Sequence, residues 1–157
     1  MCIFCKIAAG NAPAHKTWED ETHLAFLSIF PNTIGATVVI PKEHISSYAF
    51  DMKDKDLSAL VLAAKKVARL LDTSLPYVGR TAMVFEGFGV DHVHAKLFPL
   101  HGTPKGAWRP INSTERKFFE KYEGYISSND GPRADDAALA KLADEIKKAD
   151  RRIDKNA

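Results

Sequence analysis

Cysteine is scarce in this 157-residue chain, which holds only Cys2 and Cys5. They stand too close in sequence to staple distant parts of a secreted fold. In a reducing compartment, a Cys-x-x-Cys pair serves as metal ligands or as a redox centre sooner than as a structural disulfide. Long apolar runs are also lacking: no stretch approaches the roughly 18 consecutive apolar residues of a membrane span. No charged segment followed by an apolar one marks a secretory signal. The expectation is a cytoplasmic protein with no membrane partner. Charge of one sign is not in excess either. A net charge of +2, with no basic run interleaved with aromatics, gives no reason to expect nucleic acid as a partner. Internal repeats and low-complexity segments are absent. What remains, 45% apolar and 27% charged, is an ordinary globular composition in a chain long enough to bury a core without disulfides.

Against that background the stretch Gly87 to His101, GFGVDHVHAKLFPLH, carries chemistry. Gly87 and Gly89 mark a tight turn. After it the residues alternate, with His92, His94, Lys96 and Phe98 on one side and Val93, Ala95 and Leu97 on the other, as in a half-buried strand. Neighbours on one strand face lie about 6.5 to 7 Å apart. Two imidazoles and an ammonium therefore point into one space, an arrangement suited to chemistry on an anion. One histidine alone would read as structural, and Lys96 alone as a solvated charge.

The remaining elements follow from periodicity and punctuation. Cys2 to Ile7 forms a short helical turn closed by Gly10 and Pro13. Strands are expected at His15 to Trp18, Thr22 to Ile29 and Thr37 to Ile40, the last stopped by Pro41. Short connections between them argue for an antiparallel sheet. His44 follows Pro41 in a segment of no strong pattern and, without other ligands nearby, is a surface loop residue. Apolar residues at three- and four-residue steps predict an amphipathic helix from Asp54 to Leu71, capped by Asp51 or Asp54, with Lys55, Lys65, Lys66 and Arg69 on its wet face. Val78 to Phe85 should pair with the histidine strand as a hairpin. Beyond His101 come a loop, a short helix over Ser113 to Tyr122, a Ser-Ser-Asn-Asp-Gly-Pro linker, and a helix from about Ala134 to Ile153. The stripe Leu139, Leu142, Ile146, Ala149 and Ile153 of that helix packs on the core or on a partner subunit.

Five pieces in this order resemble the histidine triad (HIT) superfamily of nucleotide hydrolases and transferases. They are Cys2-Ile3-Phe4-Cys5-Lys6-Ile7, the strand and loop Leu24 to Asn32, the segment Val38 to Ile45, the helix after it, and His92-Val93-His94. The resemblance runs from Cys2 to about His101. It implies an α+β fold, an antiparallel sheet of about five strands with packed helices, usually as a homodimer. On this basis residues 1–102 are a HIT-like nucleotide-binding domain and 103–157 a C-terminal loop and helical extension. The implied mechanism has the central histidine of the motif, here His94, attack the α-phosphorus of a nucleotide or nucleotide conjugate. The nucleotidyl group then passes to water or another acceptor. A neutral imidazole is a competent nucleophile near pH 7, and Lys96 beside it opposes protonation.

Zinc-containing members of the superfamily imply Cys2, Cys5, His44 and His92 as the ligands of one structural zinc. A closed Cys2His2 tetrahedron braces and does not activate water. For the nucleotide, the resemblance implies contacts from Ile3, Phe4, Ile7, Phe26, Ser28 and Ile29, the apolar ones also being readable as core, and from the turn Gly87, Phe88 and Gly89.

Four positions depart from the usual pattern: Lys96 replaces the third histidine, Ala36 a histidine, Phe88 a polar amide and Ser28 an Asp or Asn. Lys96 is left as the main electrostatic stabiliser of the transition state, joined by the turn amides from Gly87 to Gly89. These departures motivate an alternative, a nucleotide-binding or interaction module with little or no catalytic activity. A third reading is a redox-responsive protein in which oxidation of Cys2 and Cys5 ejects the metal.

Overall fold

The computed structural model describes residues 1–106, 108–112, 114, 116–124 and 130–153. Five strands form one antiparallel sheet: β1 (Lys16–Glu19), β2 (His23–Leu27), β3 (Thr37–Pro41), β4 (Val78–Val84) and β5 (Ala95–His101), in the order β1-β2-β3-β5-β4. The helices are α1 (Ile3–Ala8), α2 (Asp54–Ser74) and α3 (Asp136–Ile153). Among the described residues, no helix is long and apolar enough to cross a membrane.

Strand alternation sorts the apolar residues onto two faces. Ala25, Leu27, Val39, Ala95 and Leu97 join a cluster with Leu60, Ala64, Val67 and Leu71 of α2. Leu24, Phe26, Val38 and Ile40 form a second cluster with Ile7 of α1. The C-terminal helix packs on the core of its own chain. Its Leu139, Ala143 and Ile146 belong to the first cluster, and Asp135 accepts the Ala138 N–H at 2.9 Å as its cap.

Several local expectations are corrected. The expected histidine strand starts only at Ala95. β3 and β5 pair Thr37 with Leu97, Val38 with Lys96 and Val39 with Ala95. Two residues further along, the ladder meets Pro41, which has no N–H to give. Val93 bonds instead to the Ile45 carbonyl at 2.8 Å, so His92 to His94 lie beside a loop. The cap of α2 is Lys53, without a side-chain hydrogen bond, while Asp54 and Asp56 occupy the first turn and favour its positive end.

The short helix expected at 113–122 does not form among the described residues there. So short a helix needs a buried face, and Phe118 is largely exposed. Residues 113 and 115, and residues 127–129 of the expected linker, lie outside the described residues.

Candidate active site and metal centre

Pro41 organises the first part of the site. Its carbonyl accepts a hydrogen bond from Nε2–H of His92 at 2.9 Å. A carbonyl can only accept, so the proton of this neutral ring sits on Nε2 and the Nδ1 lone pair is free. That lone pair faces the sulfurs of Cys2 and Cys5, each at 3.5 Å. His44 Nδ1 lies 3.4 Å from the Cys5 sulfur, and the two sulfurs are 3.2 Å apart. All four donor atoms fall within 4.8 Å of one another.

In a tetrahedral zinc site the bond lengths put donors about 3.3 to 3.8 Å apart. The donor set and the His92 tautomer fit a zinc ion, and the closest donor pairs, at 3.2 to 3.5 Å, stand near these separations. Pro41 supplies the outer hydrogen bond that orients a ligating imidazole. Burial pushes the Cys2 thiol up, but the Cys5 amide and thiol, the Phe4 amide and the N-terminal charge together outweigh it and bring the thiol below its ordinary value.

His94 lies two residues further on and is almost fully buried. Its Nδ1–H donates to the His92 carbonyl at 2.7 Å, which leaves Nε2 unprotonated and nucleophilic. Burial holds its pKa below the usual value. The His92 carbonyl and Glu86 act in the opposite sense, and Lys96 reinforces the depression. Phe4 packs edge-on against His94 at 5.3 Å and against His92 at 6.0 Å between ring centroids. The two histidines thus share the face covered by α1, and both are more buried than a half-exposed strand would leave them.

The other sequence-proposed contacts divide by location. Ile7 and Phe26 are buried beneath Phe4, while Ile3 and Ile29 are substantially exposed. Ser28 lines a cleft with Phe30, Asn32, Lys96, Phe98 and Asp130, and Ala36 also borders it. The glycine turn does not line that cleft. Gly87 takes a positive φ of 77°, and a Cβ there would stand 2.8 Å from the Ser47 carbonyl, so glycine is required. Phe88 stacks on Tyr122, ring centroids 5.5 Å apart, and its N–H points inward to Glu86. Neither Phe88 nor Ile3 lines the Ser28 cleft, although the Phe88 N–H shares Glu86 with Lys96, which does.

Glu86 escaped the sequence reasoning. Its side chain is only 2% exposed and accepts from the Lys96 ammonium at 3.0 Å. Hairpin register carries the missing signal: Val84 pairs with Lys96, and two more residues put Glu86 across from His94.

The HIT domain family matches residues 9–103. The chain belongs to the HIT family. A HIT-like protein of Mycoplasma genitalium is 34% identical over 132 residues, covering 82% of this chain and 93% of its own. The adenosine 5'-monophosphoramidase of Schizosaccharomyces pombe is 37% identical over 102 residues, 62% of this chain and 73% of that one. Among solved structures, a Zn-bound histidine triad family protein from Mycobacterium smegmatis has a TM-score of 0.69 at 23% identity, covering 99% of this chain and 97% of that one. At that identity the likeness speaks for the HIT fold, the five-stranded antiparallel sheet with its packed helices.

Proposed function

We propose that this HIT protein is a nucleotide phosphohydrolase or nucleotidyltransferase that works at the α-phosphate through a covalent nucleotidyl-His94 intermediate. The observation that carries the reading is the buried, neutral His94, with Nδ1–H tied to the His92 carbonyl and Lys96 two residues along. Nε2 forms a bond to the α-phosphorus as the bond to the leaving group breaks, and the leaving group takes a proton from solvent. The His92 carbonyl stabilises the charge that develops on the ring, and the Lys96 ammonium stabilises the phosphoryl oxygens. Water then attacks phosphorus, the P–N bond to His94 breaks, and the proton of the water passes to solvent.

Cys2, Cys5, His44 and His92 would hold a structural zinc, which with four protein ligands braces the segment carrying His94 and supplies no activated water. Phe4, Ile7, Phe26 and Ser28, with Ile3, Ile29 and the Gly87–Gly89 turn, form the proposed nucleotide-facing surface. The protein would act as a homodimer. Leu100, Trp108 and Ile111, exposed around one cavity beside the sheet edge, offer apolar area for it. Light scattering should return twice the single-chain mass.

The name of the fission yeast relative makes adenosine 5'-monophosphoramidate the first substrate to try. His94→Ala should keep its zinc and its thermal midpoint and lose at least about 1,000-fold in kcat. Intact-mass spectrometry after rapid, acid-free quenching should show a nucleotidyl adduct on the parent and none on the variant. Retained turnover in His94→Ala would remove the mechanism. A second reading, a binding module, is favoured by Lys96, Ala36, Ser28 and Phe88, which stand where the family pattern has other residues. That reading requires AMP binding by calorimetry with no loss of any nucleotide conjugate offered.

A further inference from the structure

Burying a carboxylate is costly unless it is paired and hydrogen-bonded, and Glu86 is both. Its Oε2 accepts from Lys96 Nζ at 3.0 Å, and its Oε1 accepts from the Phe88 N–H at 3.2 Å. One side chain therefore ties the strand that follows His94 to the glycine turn. The turn is fixed from its other side, where Gly87 packs on the Ser47 carbonyl and Ser47 N–H donates to Asp91 at 3.0 Å. A solvated ion pair would contribute little. This one has its acid almost fully enclosed and its lysine 18% exposed, at the border of the Ser28 cleft.

The geometry points to Glu86 as a positioning residue that acts through Lys96. Its carboxylate holds the ammonium and the turn in one arrangement and partly cancels the Lys96 charge, so that a phosphate in the resting site is attracted less strongly than an unpaired lysine would attract it. This rests on the nucleotide chemistry proposed at His94. Only interactions stronger in the transition state than in the ground state accelerate a reaction. A lysine that is held still and partly neutralised loses affinity for bound nucleotide and keeps its alignment for the charge that develops during transfer.

The test is a double-mutant cycle on zinc-loaded, full-length protein, with AMP affinity read by titration calorimetry and kcat on adenosine 5'-monophosphoramidate. Glu86→Gln should tighten AMP binding about 3- to 10-fold and lower kcat about 10-fold, whereas in a Lys96→Met background it should change AMP affinity less than about twofold. Glu86→Asp keeps the charge but shortens the reach by one methylene. It should lower kcat with AMP affinity within about twofold of the parent. Unchanged or weaker AMP binding in Glu86→Gln, or the same change in both backgrounds, overturns the assignment. So does a rise in affinity in Glu86→Asp equal to that of Glu86→Gln. A purely structural carboxylate would lower the thermal midpoint and zinc content with neither signature. A parent that fails to bind AMP overturns the nucleotide reading together with this one; a parent that binds AMP without the coupling overturns the role of Glu86 alone.

Discussion

His92 and His94 are both neutral, buried and tied to a carbonyl, yet opposite nitrogens carry the proton. His92 gives its Nε2–H to Pro41 and turns Nδ1 toward the cysteines; His94 gives its Nδ1–H to the His92 backbone and keeps Nε2 for chemistry. Which backbone oxygen lies in reach decides which nitrogen of each ring keeps a free lone pair. Asp20 shows the same dependence on local donors at a site with no chemistry. Burial alone would raise its carboxyl, but the N–H groups of His23 and Thr22, at 2.6 and 2.8 Å, hold it below the usual range. A depressed carboxyl stabilises the fold above the unfolded value, about pH 4, and the contribution disappears as pH falls through the lower folded value. Asp20→Asn keeps an acceptor and loses the charge. It should cost about 0.5 to 1 kcal/mol at pH 7, a range already reduced for solvent screening of a side chain 37% exposed. Urea midpoints measured from pH 6 down to pH 2 should converge for parent and variant; a gap that persists at pH 2 would mean the charge is not what the turn uses.

Among the elements, α1 depends most on something outside itself. It has six residues and buries only Ile7, far below what an isolated helix needs. The four candidate ligands come from its N-terminal turn, from the loop after β3 and from the segment before β5. Stripping zinc with a chelator should therefore lower the thermal midpoint by roughly 5 to 15 °C, the shift expected when a tightly bound ligand of the native state is lost. Calorimetry on loaded and stripped protein, with released zinc counted, checks this. An unchanged midpoint after complete stripping would show that the site does not brace the fold.

The same elements mark what could be read from sequence. Helix α2 was legible because its apolar steps repeat over five turns, and the antiparallel sheet because short β-branched runs are joined by turn residues. The ligand set came from a family pattern, and the fold then placed those four donors together. The start of β5 was not legible, because it depends on Pro41 in another strand withholding a donor. Lys53, an unexpected cap, and the lack of a helix among the described residues of 113–122 show that local signals fail where no tertiary face supports them. Glu86 was hidden because its importance lies in hairpin register, and a list of residue types does not reveal register.

Over the whole molecule, two layers of packing serve different ends. One cluster, beneath α1, lies with Phe4 against the face that carries His92 and His94; the other, formed with α2 and α3, lies behind it. α3 reaches that second core through a strap. Gly131 sits against the Pro31 carbonyl, where a Cβ would come within 2.1 Å, and Ala134 N–H donates to the Ile29 carbonyl at 2.9 Å. The strap thus meets the loop that contributes Phe30 and Asn32 to the cleft, while the helix buries Ile146 completely. Ile146→Ala removes side-chain volume from a closed core and should cost about 2 to 4 kcal/mol in urea unfolding. Its cavity lies on the face opposite His94, so zinc content and kcat at 25 °C should stay near the parent values while the midpoint falls. If kcat falls in step with stability, α3 is coupled to the cleft through residues 131–134, and the C-terminal segment belongs to the catalytic unit rather than to its support.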